Sequence, residues 1–276
     1  MIKGYYVIDA HAHVYPEKIA IKAGNAVASF YDVEMQYKAT TEELLRNGVA
    51  NGIDHFLIHS VATKPEQVSK VNRYIASQVE AHKGRMSGLG TVHPLSSNME
   101  EDINEIVSLG LHGIKIHPDM QGFAIDCDGF MEAFELCGKH NLTVLAHTGD
   151  VRGDKSNPDR IERILQALPD TTFVGAHFGG YSLWEEAVEK LPKYENFYVD
   201  TSSTSFFVGL RGMIQYINAY GIDRCMFATD YPMHPIETEI RNILFMHLKE
   251  EDCRKIFSEN AIRIYNLERP EFFGEE

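Results

Sequence analysis

Scarcity is informative in this chain. No run of about 18 apolar residues occurs, so no segment is suited to cross a bilayer as a helix. Cysteine appears at Cys127, Cys137, Cys225 and Cys253, without the short paired spacing of a disulfide framework or zinc knuckle. The thiols are expected to be reduced, as in a cytosolic protein. Positive charge is also short: 26 Lys and Arg against 40 Asp and Glu leave a formal net charge of -14. Such a surface repels phosphate backbones and anionic lipid, so nucleic-acid and membrane partners are disfavoured, although a local basic mouth could hold a small anion. Proline-rich linkers, low-complexity tracts and repeats are missing, which leaves a single domain over 1–276 as the expectation. The opening MIKGYYVIDAHAH lacks the basic, apolar and small-residue succession of a secretory signal, so a cytoplasmic location is expected.

What remains is globular: 44% apolar and 24% charged residues. Apolar runs bounded by turn residues predict strands at 5–8, 54–59, 87–92, 113–116, 143–146, 172–176, 197–199 and 225–228. Helical periodicity predicts helices at 40–47, 67–82, 99–109, 130–140, 160–168, 183–191 and 210–219. IFSENAIRIYNL then reads as a closing helix packed on the outside, and the tail from Arg269 is expected to fray. The fold class expected is α/β, a closed (β/α)8 barrel with parallel strands; a doubly wound open sheet is the alternative. The long loop 15–39, carrying Phe30, Tyr31 and Tyr37, is expected to form a lid or short subdomain.

In such a barrel the chemistry sits at the C-terminal ends of the strands, and most of the 13 histidines fall there. In VIDAHAHVYP, residues 7–8 read as strand, and period-two alternation points His11 and His13 to one side, where two imidazoles can grip a divalent metal. Later strands end at His59, His93, Lys115 with His117, His147, His177, Asp200 and Asp230. His147 and His177 stand out because each ends an apolar strand with glycine following. Asp230 stands out because an acid after Met-Phe-Ala-Thr is costly to bury without a cation or hydrogen bonds. His59, His93 and His117 read equally as substrate contacts or structural groups; His55, His82, His112, His140 and His247 read as structural.

Taken together, IDAHAH, GIKIHP, LAHTGD, GAHFGG, FATDYP and SENAIRIYNL resemble the amidohydrolase superfamily, in particular the branch of metal-dependent hydrolases and decarboxylases typified by aminocarboxymuconate semialdehyde decarboxylase. The resemblance implies that His11, His13, His147 and Asp230 hold a divalent metal, zinc first with manganese or iron as alternatives, and one ion rather than two. His177 is then the catalytic histidine beside that ion or a ligand to a second. Lys115 stands where some members carry a carboxylated lysine bridging two metals; the one-metal branch implies that it packs or hydrogen-bonds nearby.

The expected function is an enzyme, a metal-dependent hydrolase of a small molecule, in which metal-activated water is served by Asp230 as general acid and base while His177 steadies the oxyanion. The alternative is a non-oxidative decarboxylase of a small unsaturated or aromatic acid, with Asp230 or His177 delivering a proton. That reading needs a cationic clamp, for which Arg152 is the first candidate and Arg211 the second; Lys115 and His117 are further substrate contacts. A catalytically inactive metal-binding barrel is a third reading, and a nuclease is disfavoured by the acidic surface. Phe30, Tyr31, Phe206 and Phe207 could wall the substrate, and a homodimer is the default assembly.

Overall fold

Short apolar segments alternate with amphipathic ones, and in the computed structural model, which describes residue 2 and residues 4–269, they fold as strands and helices in turn. The strands are β1 (Ile8–His13), β2 (His55–His59), β3 (Met86–Gly88), β4 (Gly113–Ile116), β5 (Thr143–Ala146), β6 (Phe173–Gly175), β7 (Phe197–Asp200) and β8 (Cys225–Met226). The helices are α1 (Glu17–Tyr31), α2 (Thr41–Ala50), α3 (Val68–Ala81), α4 (Met99–Ser108), α5 (Pro118–Gln121), α6 (Asp128–Lys139), α7 (Pro158–Ala167), α8 (Trp184–Lys190), α9 (Ser205–Tyr220), α10 (Ile236–Phe245), α11 (Glu250–Arg254) and α12 (Asn260–Ile264). Side-chain oxygens of Thr40 and Asn98 and of Asn157 accept from the first-turn amides of α2, α4 and α7, which is why these helices start where they do.

All ladders are parallel, in the orders β1-β2-β3 and β4-β5-β6-β7-β8. Backbone bonds join the two runs at both seams. Lys115 N donates to Gly90 O (2.7 Å) between β3 and β4, and Ala10 N donates to Phe227 O (3.1 Å) between β8 and β1. The strands therefore close into a (β/α)8 barrel, as the alternation predicts, and the open sheet is excluded. Phe56, Ile58, Ile114, Ile116, Val144 and Phe173 point outward into the core shared with the helices. Ile8, Ala10, Leu57, Leu89, Leu145, Val174 and Met226 fill the barrel interior.

The closing segment lies elsewhere than expected. Ala261, Ile264, Tyr265 and Leu267 pack with the interior cluster, so α12 and the turn after it plug the N-terminal end of the barrel instead of covering its outside. An apolar barrel floor open to water needs a cover, and Thr143 Oγ1 fastens this one by donating to Ile264 O at 2.7 Å. The tail expected to fray lies almost wholly in residues 270–276, outside those described.

Three further boundaries moved. β1 begins at Ile8 rather than ending there, so both histidines lie on the strand itself. β3 is shorter than expected because past Gly88 the backbone at Thr91 is held by Asn72 of α3. Residues 17–31 of the expected loop form a fifteen-residue helix, α1, of which only Ala20 and Gly24 are buried. Its weak apolar face escaped the periodicity reading because that face covers a cavity, not a core. None of the four cysteines is joined in a disulfide. Among the described residues no helix is long and apolar enough to cross a membrane.

Candidate metal centre and active-site cavity

The direction of the two β1 histidines depends on a local irregularity. Asp9 is paired with Phe56 and Ala12 with Ile58, so β1 holds one extra residue at this point. Before this bulge Ile8 and Ala10 face the barrel interior; after it Ala12 and Val14 face outward, and His11 and His13 face in. Strict alternation from Ala10 would have turned both imidazoles out toward the helices. Asp9 holds the bulge: Oδ1 accepts from His11 N (3.2 Å) and Thr229 N (3.0 Å), and Oδ2 accepts from Thr229 Oγ1 (2.5 Å). Burial raises its pKa to about 6 against these hydrogen bonds.

His11 Nε2 and His13 Nε2 come within 3.2 Å of each other, and Asp230 Oδ1 lies 3.2 Å from the former and 3.4 Å from the latter. His11 Nδ1 donates to Asp200 Oδ2 at 2.8 Å, an acid on the far side of the barrel, which leaves the Nε2 lone pair aimed at that junction. Lys115 Nζ approaches the same Nε2 at 3.0 Å. Burial and Lys115 push the His11 pKa down, but Asp200 and Asp230 outweigh them and raise it. Burial would raise both acids, yet His11 and its neighbours hold Asp200 down at about 2 and Asp230 well below the usual range. Burial lowers Lys115 to about 8 against the pull of the same two acids. The raised His11 and the depressed Asp200 and Asp230 mark the junction as one that favours positive charge, while burial works against the charge of Lys115 itself.

A second set of imidazoles lies across the barrel mouth. His147 Nδ1 is 3.1 Å from His177 Nε2, and His177 Nδ1 donates to Ser202 O at 3.1 Å. The His117 and His147 rings stack 4.1 Å apart, 6° from parallel. Tyr31 Oη, from the end of α1, lies 2.7 Å from His117 Nε2 and 3.1 Å from His147 Nε2. His177 and Asp230 take left-handed φ values of 58° and 56°, a backbone strain held by the surrounding bonds, among them His177 N to Asp200 Oδ1 at 2.9 Å. Gly149 turns the chain after His147 at φ 82°, and a Cβ there would stand 2.5 Å from the Tyr181 backbone.

Of the residues singled out from the sequence, His11, His13 and Asp230 come together, His147 joins His177 and His117, and Lys115 touches His11. Arg152 is engaged elsewhere: it pairs with Asp150 (2.5 Å) and donates to Phe30 O (2.6 Å), and it is not among the residues lining the cavity. Asp200, visible in sequence as a strand-end acid, orients two histidines, a role that only its contacts across the barrel disclose. His59 joins the first group. It packs against His13 at 4.4 Å, and its two ring nitrogens, with His13 Nδ1, are buried without a hydrogen-bond partner among the described residues.

Ring nitrogens of His11, His13 and His59 lie within 4.8 Å of one another, as do donor atoms of His117, Asp119 and His147. Burial lowers His13 to about 4 and drives His59 and His147 well below their usual value, so these imidazoles are neutral at pH 7 and each keeps one nitrogen lone pair. Neutral imidazole nitrogens beside an ionised carboxylate suit a divalent ion of the zinc, manganese or iron kind. Above this floor is a cavity of about 530 Å³ walled by Ile19, Val27, Val33, Met120, Phe207 and Met233.

The amidohydrolase family model matches residues 8–267. The chain belongs to the amidohydrolase family. No curated protein matches the sequence. Among solved structures, an uncharacterised TIM-barrel protein from Bordetella bronchiseptica superposes on this amidohydrolase with a TM-score of 0.77 and 20% identity, over 95% of this chain and 98% of that one. The 5-carboxyvanillate decarboxylase of Sphingomonas paucimobilis gives 0.73 and 17%, over 95% and 99%. A dihydroxybenzoic acid decarboxylase from Polaromonas, with bound manganese and the inhibitor 2-nitroresorcinol, gives 0.73 and 16%, over 98% and 100%. At these identities the likeness is one of fold.

Proposed function

We propose that this amidohydrolase-family chain is a metal-dependent, non-oxidative decarboxylase of a small hydroxylated aromatic or unsaturated acid. The observation that carries the reading is the make-up of the cavity: the histidines, Lys115 and Asp230 lie in a lining that is otherwise mostly apolar and aromatic, with the exposed Lys22 and Lys70 as its other charged groups. An apolar wall destabilises a carboxylate relative to neutral carbon dioxide, which favours loss of the carboxyl group once the ring is anchored below. The cavity volume of about 530 Å³ suits a one-ring acid. Named decarboxylases of aromatic acids share the fold, and this weighs toward decarboxylation over hydrolysis.

His11, His13 and Asp230 would hold the ion, with His147 as the further donor, and the ion when bound supplies positive charge that orients and polarises a substrate oxygen. The protein's own groups do the rest. Asp200 holds the proton of His11 on Nδ1. Ser203 Oγ donates to Asp230 Oδ2 at 2.6 Å and fixes that carboxylate, while Ser202 fixes His177. The reaction breaks one carbon–carbon bond, releases carbon dioxide and places one proton on the vacated carbon, so no oxidant is needed. Asp230 and His177, which both line the cavity, would carry that proton.

The test is a panel of hydroxybenzoates and unsaturated acids, set beside esters, amides and lactones, given to protein supplied with manganese or zinc. Carbon dioxide release from at least one acid is expected. Hydrolysis of the second set with no carbon dioxide from the first would return the assignment to a hydrolase.

A further inference from the structure

The hydrogen bonds around Tyr31 have a direction that can be worked out from their two ends. Met120 N–H donates to His117 Nδ1 (3.3 Å), so the His117 proton sits on Nε2 and points at Tyr31 Oη. At the other end the Ser202 carbonyl takes the Nδ1 proton of His177, leaving His177 Nε2 as an acceptor. His147 must then donate from Nδ1 to His177, which leaves its Nε2 with a lone pair. Tyr31 donates its hydroxyl proton to that lone pair at 3.1 Å. A neutral imidazole nitrogen has one lone pair, so Nε2 of His147 can serve the phenol or a metal ion, not both.

Tyr31 is carried by an element suited to move. Ile19, Ala23, Val27 and Tyr31, four residues apart along one stripe of α1, face the cavity, and the helix buries little else. Its C-terminal end is held by the Tyr31 phenol and by Arg152, which donates to Phe30 O and lies 5.0 Å from the Tyr31 ring centre. Its start is held by the exposed pair of Glu17 with Lys38.

We propose that Tyr31 is a built-in stopper for the metal centre: its phenol occupies the His147 nitrogen that completes the donor set, so that loading an ion on His147 and seating α1 over the cavity exclude each other. The proposal rests on His147 being a metal ligand. Coupling of this kind is reciprocal: releasing Tyr31 tightens the ion, and the ion releases Tyr31 and loosens α1.

Affinity for manganese and zinc is measured by competition with a chromophoric chelator on the wild type, Tyr31→Phe, His147→Ala and the double variant, each checked for folding by circular dichroism. The phenylalanine keeps the ring and removes the hydroxyl. It should bind the ion about tenfold more tightly, the factor expected for removing one or two competing hydrogen bonds. That gain should vanish in the His147→Ala background. Equal or weaker binding by Tyr31→Phe overturns the stopper, as does an affinity that His147→Ala leaves unchanged. Failure of both the wild type and Tyr31→Phe to bind any ion would instead sink the metal-dependent reading above. As a second readout, saturating manganese should speed tryptic cleavage after the exposed Lys18 or Lys22 of α1 severalfold in the wild type. Unchanged or slower cleavage would mean that the ion does not release the helix, and would overturn the coupling.

Discussion

At the scale of single residues, the site works through placement of protons as much as of atoms. Asp200 is ionised and accepts from His11 Nδ1, which keeps the proton off His11 Nε2 and leaves that nitrogen's lone pair facing the junction, where Lys115 Nζ approaches it. Asp200→Asn preserves shape but presents an amide where the acceptor stood, so His11 is driven toward its other tautomer, with the proton on Nε2. Metal affinity should fall by about 10–100-fold with little change in the thermal midpoint of the metal-free protein, as chelator competition and a melting curve in chelator would register. An unaltered affinity would remove Asp200 from the machinery. Gly149 illustrates a different residue-scale demand, for space: with φ 82° and the Tyr181 backbone 2.5 Å from where a Cβ would stand, alanine is excluded twice over. Gly149→Ala should cost about 2 kcal/mol or more in urea denaturation.

At the scale of elements, side chains on helices finish what short strands leave undone. Asn72 of α3 accepts from Thr91 N at 2.7 Å and donates to Thr91 O at 3.2 Å, in effect acting as a strand neighbour where β3 has ended. Asn72→Ala would strand two buried backbone groups and should destabilise the protein by about 2 kcal/mol, read from the denaturation midpoint at an unchanged slope. The start of α6 is tied to α7 in another way, through Asp126, which takes hydrogen bonds from Arg160 and Arg163. Burial would raise its pKa, but the two guanidinium groups hold it below the usual value. A carboxylate depressed in the folded state stabilises the fold above its unfolded pKa and loses that contribution as pH falls through the folded one. Asp126→Asn should therefore cost about 1 kcal/mol at pH 7, modest because Arg163 is half exposed and screened, and the difference from wild type should shrink below about pH 4. A gap that stays constant down to acid would show that the charge is not what matters there.

At the scale of the molecule, the barrel closes at two seams that no ladder spans in full, and the proposed donor set sits over one of them. His13 N donates to Tyr231 O at 2.8 Å, so β1 and the segment carrying Asp230 are joined within a residue of two of the proposed metal donors. An ion bound by His11, His13 and Asp230 would cross-link the first and last strands of the ring. At a hundredfold excess over its dissociation constant an ion adds about 2.7 kcal/mol to stability. Chelation is then expected to lower the thermal midpoint by about 5–10 °C, and re-addition of the ion to restore it. A midpoint indifferent to chelator and ion would argue that the centre is unfilled in solution.

The sequence by itself determined the succession of strands and helices, and with it the barrel, because apolar periodicity and turn residues are local properties of a chain. It also determined that the histidines and acids collect at one end, since each follows directly from its place at the close of a strand. Which of them meet was decided only by the tertiary structure. His11 and Asp200 are 189 residues apart and bonded, the bulge at Asp9 depends on Thr229 from the opposite end of the chain, and Tyr31 reaches His117 and His147 from a helix whose apolar stripe has a cavity in place of a core. Periodicity records what a segment needs to bury, and it is silent about partners that ring closure brings in from distant segments. The role of α12 shows the same division: its apolar face was legible in the chain, but only the closed barrel had an open end for that face to seal.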